Sequence, residues 1–411
     1  MRVLLSTIGS RGDVQPLVAL ALQLKALGQE VHLCAPPDFR DWIDSLGIPV
    51  TPIGPELRKS ALFSAPLAAP AQFSPRRRRQ LAEATVATQF ETIAAAAQGC
   101  GIIVAATALQ IAARSLAEMM KIPYVFVAYC PTVLPSPHHA PPPFPLPGQV
   151  PAPATADNRE LWAGNARRFH ETFGSLLNSH RASVGLAPVS DIRSHIFTDR
   201  PWLAADPTLG PWPDPADPTV FQTGAWILPD ERPLPSELET FLQAGDPPIY
   251  FGFGSMGAPQ NLNQVMIQTA RALGRRAIVS RGWAGLSLVD DEADCLAVGE
   301  VNQQALFARV AAVVHHGGAG TTTVAARAGA PQVVIPQLYD QHYWARQIHH
   351  LGIGTAHAPG TPTTESLTTA LKHTLRPDVA ARARSIATAV RSDGAQAAAQ
   401  CLIAAETHSS F

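Results

Sequence analysis

A short apolar segment followed by a glycine-containing turn and an amphipathic helix occurs several times along this sequence. In the first copy, residues 3–5 are apolar, residues 9–13 form a glycine-containing turn, and residues 16–27 have helical apolar spacing after a leading proline. Another apolar segment follows at residues 31–35. Strand, turn, helix and strand in this order predict a βαβ unit. The pattern therefore predicts an α/β fold with parallel sheets.

Two runs of such units predict two doubly wound domains. The strand–turn–helix pattern stops at residues 131–156, where ten prolines exclude a helix or a central strand. The pattern resumes at residue 248. We expect domains at residues 1–205 and 241–411, joined by a linker at residues 206–240 and with a C-terminal helix that is able to return to the first domain. Further predicted elements are strands at 101–106, 124–128, 249–253, 276–280, 311–315 and 332–336, and helices at 109–120, 158–184, 262–273, 321–328 and 379–407.

Composition excludes several classes of protein. The 411 residues are 46% hydrophobic with a net charge of −1, which excludes a disordered chain and gives no reason to expect a nucleic-acid partner. The five cysteines form no CxxC pair, so we expect neither a zinc site nor a disulfide framework, and we place the protein in the cytoplasm. Because no stretch of about 18 apolar residues occurs, we expect no stable membrane insertion.

The most informative turn is His315-His316-Gly317-Gly318-Ala319-Gly320-Thr321-Thr322, which follows an apolar strand and opens a helix. Glycines let backbone N–H groups approach an anion, and the helix N-terminus adds partial positive charge. Threonine hydroxyls and a histidine at the strand end add donors. We predict a diphosphate site here. The alternative is a glycine-rich turn that only closes a helix–strand contact. The predicted ligands are His316, Gly318, Gly320 and Thr321.

A second glycine turn, residues 252–257, matches GxGxxG after a strand. This pattern suggests a dinucleotide site, but such sites have an acidic residue about 20 positions further on, which binds a ribose. Here the next strand ends in Ser280-Arg281-Gly282-Trp283. We therefore predict a second phosphate-facing turn with Ser255 as a donor. A nicotinamide-dependent oxidoreductase remains the alternative.

The turn after the first strand, Ser10-Arg11-Gly12-Asp13, is predicted to face the same ligand. Arg11 is suited to pair with a phosphate across an interdomain cleft. Asp13 is suited to accept a proton from a hydroxyl group. The alternative is that Asp13 only caps a helix beginning at Pro16.

Other polar groups carry weaker signals. Asp340 and Gln341 are suited to bind two neighbouring hydroxyls of a sugar, although they equally fit a solvated loop. The acidic residues at 290–294 fit a solvated turn, so no metal site is predicted. Arg76 to Arg79 fit a solvated helix start, with contact to an acidic acceptor or a membrane surface as the lesser interpretation. The residues expected in the core are Trp162, Trp202 and Trp226.

These turns together resemble the family-1 nucleotide-sugar glycosyltransferases, and the resemblance covers the whole chain. Residues 12–16 match the first-turn motif of that family, residues 316–321 match its HGGxGT signature, and residues 340–341 match its sugar-binding pair. Two positions differ, because most members have His at the position of Asp13 and many have Trp at the position of Glu300.

The chain is most similar to the vancomycin-group glucosyltransferases, which act on glycopeptide antibiotics. Residues 33–38, 177–181, 223–233 and 279–284 carry this resemblance. Sterol glucosyltransferases are next nearest, because they share Gly-x-Arg-Gly-Asp-Val-Gln-Pro and the HHGGAGTT run.

The resemblance implies a GT-B fold of two facing Rossmann-like domains. The N-terminal domain would bind a bulky small-molecule acceptor and the C-terminal domain a UDP- or TDP-sugar. The implied reaction is an inverting, metal-independent transfer of a hexose, with glucose favoured, by a monomer. Asp13 would be the base, Ser10, Arg11 and Gly12 would contact the diphosphate, and the acceptor hydroxyl is expected to be phenolic. The nucleoside-binding residues implied are Arg281, Trp283, Val301 and Gln303.

Three hypotheses follow for the function. The first is the glycosyltransferase. The second is the oxidoreductase built on the GxGxxG turn. The third is a catalytically silent protein that binds a nucleotide sugar, which would keep His316 and its turn but would not need Asp13.

Overall fold

The computed structural model describes residues 1–58, 74–142, 156–214, 216–255, 257 and 261–408. Within these residues the chain forms two parallel β-sheets. The first sheet contains β1 (Arg2–Thr7), β2 (Glu30–Ala35), β3 (Val50–Pro52), β4 (Ile102–Ala106), β5 (Tyr124–Ala128), β6 (Trp202–Leu203) and β7 (Phe221–Gln222). The second sheet contains β8 (Ile249–Gly252), β9 (Ala277–Ser280), β10 (Cys295–Val298), β11 (Ala312–His315), β12 (Gln332–Val334) and β13 (Gly354–Ala356).

Both sheets have the strand order of a doubly wound fold. The first is ordered β3-β2-β1-β4-β5-β6-β7 and the second β10-β9-β8-β11-β12-β13. The order reverses between β1 and β4 in the first sheet and between β8 and β11 in the second. Loops that leave the carboxyl ends of strands at such a point diverge and open a crevice. The prediction of two Rossmann-like domains is confirmed, and the two crevices indicate where a ligand binds.

Several of the helices begin at a capping side chain. Ser74 Oγ accepts the N–H of Arg77 at 3.3 Å, and Asp157 Oδ1 accepts the N–H of Glu160 at 2.8 Å. Such bonds satisfy amides that a first helical turn leaves without partners. The helices are α1 (Arg11–Ala26), α2 (Arg40–Ser45), α3 (Pro75–Ala96), α4 (Ala113–Met120), α5 (Asn158–Ser183), α6 (Ile192–Phe197), α7 (Ser236–Gln243), α8 (Leu262–Ala272), α9 (Gln303–Phe307), α10 (Ala319–Arg327), α11 (Gln341–His350), α12 (Thr364–Thr374), α13 (Pro377–Ala387) and α14 (Gly394–His408).

The first helix begins earlier than the sequence predicts. The predicted start is Pro16, but α1 begins at Arg11 and contains Pro16. Ser10 is the N-cap, and the Asp13 carboxylate accepts the N–H of Ser10 at 2.7 Å. This contact stabilises the first turn, whereas Pro16 removes only one backbone hydrogen bond. Asp13 therefore lies inside the first turn and does not cap a helix that begins at Pro16.

The alanine-rich C-terminal segment forms two helices, α13 and α14, where the sequence predicts one at residues 379–407. Between them, the buried Asp206 carboxylate accepts the N–H of Arg391 at 2.8 Å. A Cβ atom on Gly394 would lie 2.5 Å from the carbonyl oxygen of Ala225. Distant parts of the chain therefore impose the break, and α14 then packs against α1.

The segment predicted as the linker, residues 206–240, contributes a strand to the first sheet, because β7 pairs with β6. After β7, the segment around residues 230–232 is hydrogen-bonded to the half of the molecule that contains the second sheet. Asn302 Nδ2 donates to the carbonyl oxygens of Asp230 and Arg232 at 2.7 and 2.8 Å. The connection between the two sheets therefore lies after β7, and the assignment of each half to a substrate stays a prediction.

Three further sequence predictions concern buried tryptophans, the proline-rich segment and membrane-spanning helices. Trp162, Trp202 and Trp226 are buried, so their assignment to the core is confirmed. The proline-rich segment begins with a 3₁₀ turn at Pro131–Val133, and its residues 143–155 lie outside the described residues. Among the described helices, none has both the length and the apolar character needed to cross a bilayer.

Candidate active site

A cleft of about 2780 Å³ is lined by the loops that follow β1, β4, β8 and β11. The fold explains this position, because these four strands flank the two points where strand order reverses. The cleft brings together all of the predicted site residues. They are Ser10, Arg11, Gly12, Asp13, Ser255, Arg281, Trp283, Val301, Gln303, His316, Gly318, Gly320, Thr321, Asp340 and Gln341.

Asp13 is held by its own turn. Its Oδ2 accepts the N–H of Ser10 at 2.7 Å and the hydroxyl of Ser10 at 3.2 Å. Both contacts fall on one oxygen, so Oδ1 accepts no hydrogen bond from the described residues. Burial raises the pKa of Asp13 to about 6, although the hydrogen bonds from Ser10 act in the opposite direction. The carboxylate is therefore ionised at neutral pH and is a stronger base than an ordinary aspartate.

Two residues that sequence reasoning missed support Asp13. Gly9 has φ of +153°, and a Cβ atom there would lie 2.2 Å from Asp13 Oδ2. Only glycine leaves this space free. Tyr129, just beyond β5, donates its hydroxyl to the backbone carbonyl of Asp13 at 3.1 Å. The presence of glycine in the first turn was the only sequence signal for this support.

On the opposite side of the cleft, His316 lies between two glycine turns. A Cβ atom on Gly318 would be 2.7 Å from His316 Nε2, and one on Gly254 would be 3.3 Å from His316 Cε1. Burial lowers the pKa of His316 to about 4, so the ring is neutral at pH 7. Its Nδ1 is buried without a partner among the described residues. The ring and the start of α10 therefore form one neutral, donor-rich surface.

His315, the residue before it, sets the shape of this turn. Its Nδ1 accepts the N–H of Gly317 at 3.1 Å, and its Nε2 lies 2.9 Å from Gln332 Oε1. Because an amide N–H only donates, the ring proton must be on Nε2, which donates to Gln332. Burial lowers the pKa of His315 to about 3, so this arrangement persists at neutral pH. Sequence reasoning did not separate this structural role from that of His316.

Asp340 and Gln341 have different surroundings. Asp340 Oδ2 accepts the indole N–H of Trp344 at 3.1 Å. Burial raises the pKa of Asp340 to about 7, and the negative charge of Asp13 adds to the shift. The Gln341 side-chain oxygen accepts the N–H groups of Gln337 and Leu338 at 2.8 and 3.1 Å. The Asp340 carboxylate therefore feels the charge of Asp13, whereas the Gln341 oxygen is used within its own loop.

Arg11 connects the two walls of the cleft. Its Nη2 lies 3.0 Å from Glu300 Oε1, its Nε donates to Gln15 at 3.0 Å, and its guanidinium carbon lies 3.5 Å from the Trp42 ring centroid. Glu300 also lies 3.7 Å from Arg232. The sequence predicts a phosphate partner for Arg11, and the structure pairs it with the carboxylate that occupies the position of the family's tryptophan.

The predicted nucleoside-binding residues also contact protein. Trp283 stacks on Phe39, with ring centroids 6.0 Å apart and an angle of 20°. Gln303 Nε2 donates to the Tyr250 hydroxyl at 3.2 Å. Arg281 is exposed at the cleft. Trp283 therefore closes one end of the cleft against the first half of the molecule.

The acidic residues at 290–294 form an ion-pair cluster. Arg271 lies 2.7 Å from a carboxylate oxygen of Asp290 and 2.8 Å from one of Asp294. The segment is a partly exposed turn in which one guanidinium pairs with the carboxylates of Asp290 and Asp294. Across the described parts of the chain, no group of three or more His, Cys, Asp or Glu residues has a metal-binding arrangement.

Comparisons with known families match both halves of the chain. The model of the glycosyltransferase family 28 N-terminal domain matches residues 3–135. The model of the erythromycin biosynthesis protein CIII-like C-terminal domain matches residues 263–403.

Three relatives from Amycolatopsis orientalis match nearly the whole chain. Glycosyltransferase GtfE is 53% identical over 408 residues, which are 98% of each chain. A vancomycin aglycone glucosyltransferase is 50% identical over 405 residues, covering 98% of this chain and 97% of the relative. A dTDP-epi-vancosaminyltransferase is 44% identical over 394 residues, covering 94% and 93%. A crystal structure of the glycosyltransferase of kitacinnamycin superposes with a TM-score of 0.71 at 18% identity, over 98% of both chains.

Proposed function

Because the chain belongs to the family of nucleotide-sugar glycosyltransferases, we propose that it transfers glucose from a nucleoside diphosphate to a phenolic hydroxyl of a bulky glycopeptide aglycone. The relative named vancomycin aglycone glucosyltransferase, which is 50% identical, supports this acceptor over a sterol. A cleft of about 2780 Å³ exceeds the 300–1,000 Å³ of ordinary small-molecule sites, which supports a bulky acceptor. Glucose is our first choice, and the similarity to a vancosaminyltransferase keeps a deoxyaminosugar as the competing donor.

The observation that carries this proposal is the state of Asp13. One carboxylate oxygen is fixed by Ser10, and burial brings its pKa to about 6. In the proposed reaction, Asp13 accepts the proton as the acceptor oxygen attacks the anomeric carbon. The bond from that carbon to the diphosphate oxygen breaks, and configuration is inverted. A base with a pKa near 6 matches a phenol at about 10 more closely than an ordinary carboxylate near 4 does.

The leaving diphosphate would be held on the opposite side of the cleft. Its candidate donors are the first N–H groups of α10, the Thr321 hydroxyl, the His316 ring and the Ser255 hydroxyl. These groups offer neutral donors and a helix dipole, so we propose that the reaction needs no metal. Asp340 would bind a sugar hydroxyl, and Arg281, Val301 and Gln303 would lie near the nucleoside. We further propose a monomer that acts in the cytoplasm.

A donor-by-acceptor screen followed by mass spectrometry tests this function. Donors would be UDP-glucose, TDP-glucose and a TDP-deoxyaminosugar, and acceptors a glycopeptide aglycone and a sterol, each with and without EDTA. We expect a hexosylated aglycone from a glucose donor, with equal yield in EDTA. Transfer to the sterol alone, or loss in EDTA that magnesium restores, would contradict the acceptor or the metal proposal respectively. Calorimetric binding of UDP without any product would favour the silent binding protein, and binding of NAD without UDP would favour the oxidoreductase.

A further inference from the structure

The outer part of the proposed acceptor side is lined by one face of α3 and one face of α5. Residues on each face recur at intervals of three and four, which places them in a row along one side of the helix. Each row begins with an arginine and continues with small or neutral polar residues. The rows include Arg78, Ala82, Thr85 and Gln89 on α3, and Arg168, Thr172 and Ser175 on α5.

Arg168 is the least neutralised of these arginines. It is half-buried in the cleft wall. Within the described residues, no carboxylate forms an ion pair with its guanidinium. By contrast, Arg79 donates to Glu83 at 3.1 Å on the exposed side of α3. A cation that is partly withdrawn from water and has no counter-charge is unfavourable, so a bound anion would stabilise it.

The start of α3 adds further positive charge, of which Glu83 neutralises that of Arg79. Residues 76–79 are four consecutive arginines near the start of α3, and the first turn of this helix contains no acidic residue. Cations at a helix N-terminus are repelled by the helix dipole, so arginines at these positions destabilise the start of the helix. The two longest internal segments outside the described residues, 59–73 and 143–155, contain no Asp or Glu. Only Glu171 adds a carboxylate to the α5 part of the lining.

We propose that Arg168 and Arg78, which begin the two rows, form an anion subsite that binds a carboxylate of the acceptor. This inference rests on the proposed function and names a chemical feature of its acceptor. The row geometry supports the assignment, because the arginines occupy one end of each row and the neutral polar residues continue along the cleft. An acceptor with a carboxylate at one end would therefore be oriented by these arginines.

The first test uses the unmodified enzyme. Transfer to a glycopeptide aglycone is compared with transfer to the same aglycone after its carboxyl group is converted to an amide. We expect KM for the acid to be about tenfold lower than for the amide, because hydrogen bonds to charged groups are strong. This difference should shrink as the salt concentration rises, because salt screens the attraction between the charges. Equal KM values for acid and amide would overturn the inference while leaving the proposed function intact. Transfer to neither would contradict the proposed function instead.

The second test assigns the subsite to Arg168. Arg168→Gln should raise KM for the acid about tenfold, leave KM for the amide unchanged and leave KM for the sugar nucleotide unchanged. Arg167→Gln is the matched control, because Arg167 is the exposed neighbour on the same helix and does not line the cleft. Equal effects of the two variants on the acid, or a change in KM for the donor, would overturn the assignment. Melting temperature and UDP affinity, measured on the same samples, verify that each variant is folded.

Discussion

On the proposed donor side of the cleft, the ligand-facing groups are backbone N–H groups and short side chains of two glycine turns, whereas on the acceptor side they are side chains from separate helices. His316 lies against Gly318 and Gly254, and a Cβ atom on Gly318 would come within 2.7 Å of its ring. The acceptor side instead combines Asp13 on α1 with the arginine rows of α3 and α5. A backbone site suits a diphosphate, which is the same in every sugar nucleotide. A side-chain site is easily altered, which suits a variable acceptor.

The largest effect is expected from Asp13→Asn, which tests the acceptor side. Turnover should fall about 10²-fold or more, because a general base typically contributes 10²- to 10⁴-fold. UDP affinity should stay near normal, since the donor is bound opposite. The raised pKa means that ionised Asp13 destabilises the fold as pH rises through about 6, so the variant should melt no lower than wild type at pH 8. Asp41→Asn, an exposed carboxylate at the same cleft, is the control and should leave turnover unchanged.

A smaller effect is expected from Gly318→Ala, which tests the donor side. The new methyl group would lie 2.7 Å from His316 Nε2, so the ring must move. We expect UDP affinity, measured by calorimetry, to fall about tenfold, the loss of one charge-assisted hydrogen bond. Gly320→Ala sharpens the test, because its Cβ would meet no protein atom within 4 Å. If the two variants bind UDP equally well, contact with His316 does not shape the donor site.

The smallest effect is expected where the two sides meet, at the Arg11–Glu300 pair. Both side chains are partly exposed, so the pair itself contributes roughly 0–1 kcal/mol. Glu300→Gln should strengthen UDP binding up to about fivefold, because it releases Arg11 for a phosphate. Arg11→Gln should weaken UDP binding by a similar factor. Changes of the same sign in both variants would show that the pair only holds the two walls together.

The same difference explains how much the sequence could predict. The donor turns were identified because glycines, a strand and a helix start stand next to each other in the chain. The predicted start of α1 at Pro16 was wrong, because the Ser10–Asp13 contact stabilises a first turn that begins at Arg11. The break between α13 and α14 depends on Asp206 and Ala225, which are distant in sequence. The stacking of Trp283 on Phe39 likewise requires the two halves to meet.

The central claim is that burial makes Asp13 the base that activates the acceptor, and the pH dependence of kcat/KM tests it most directly. Protonation removes the base, so kcat/KM of the wild type should fall as pH drops through about 6, the pKa to which burial raises Asp13. Burial raises the pKa of the neighbouring Asp340 to about 7, so the profile of Asp340→Asn is needed to separate its titration from that of Asp13. The residual activity of Asp13→Asn should lack the limb near pH 6. A wild-type midpoint near 4, or the same limb retained in the variant, would contradict the account.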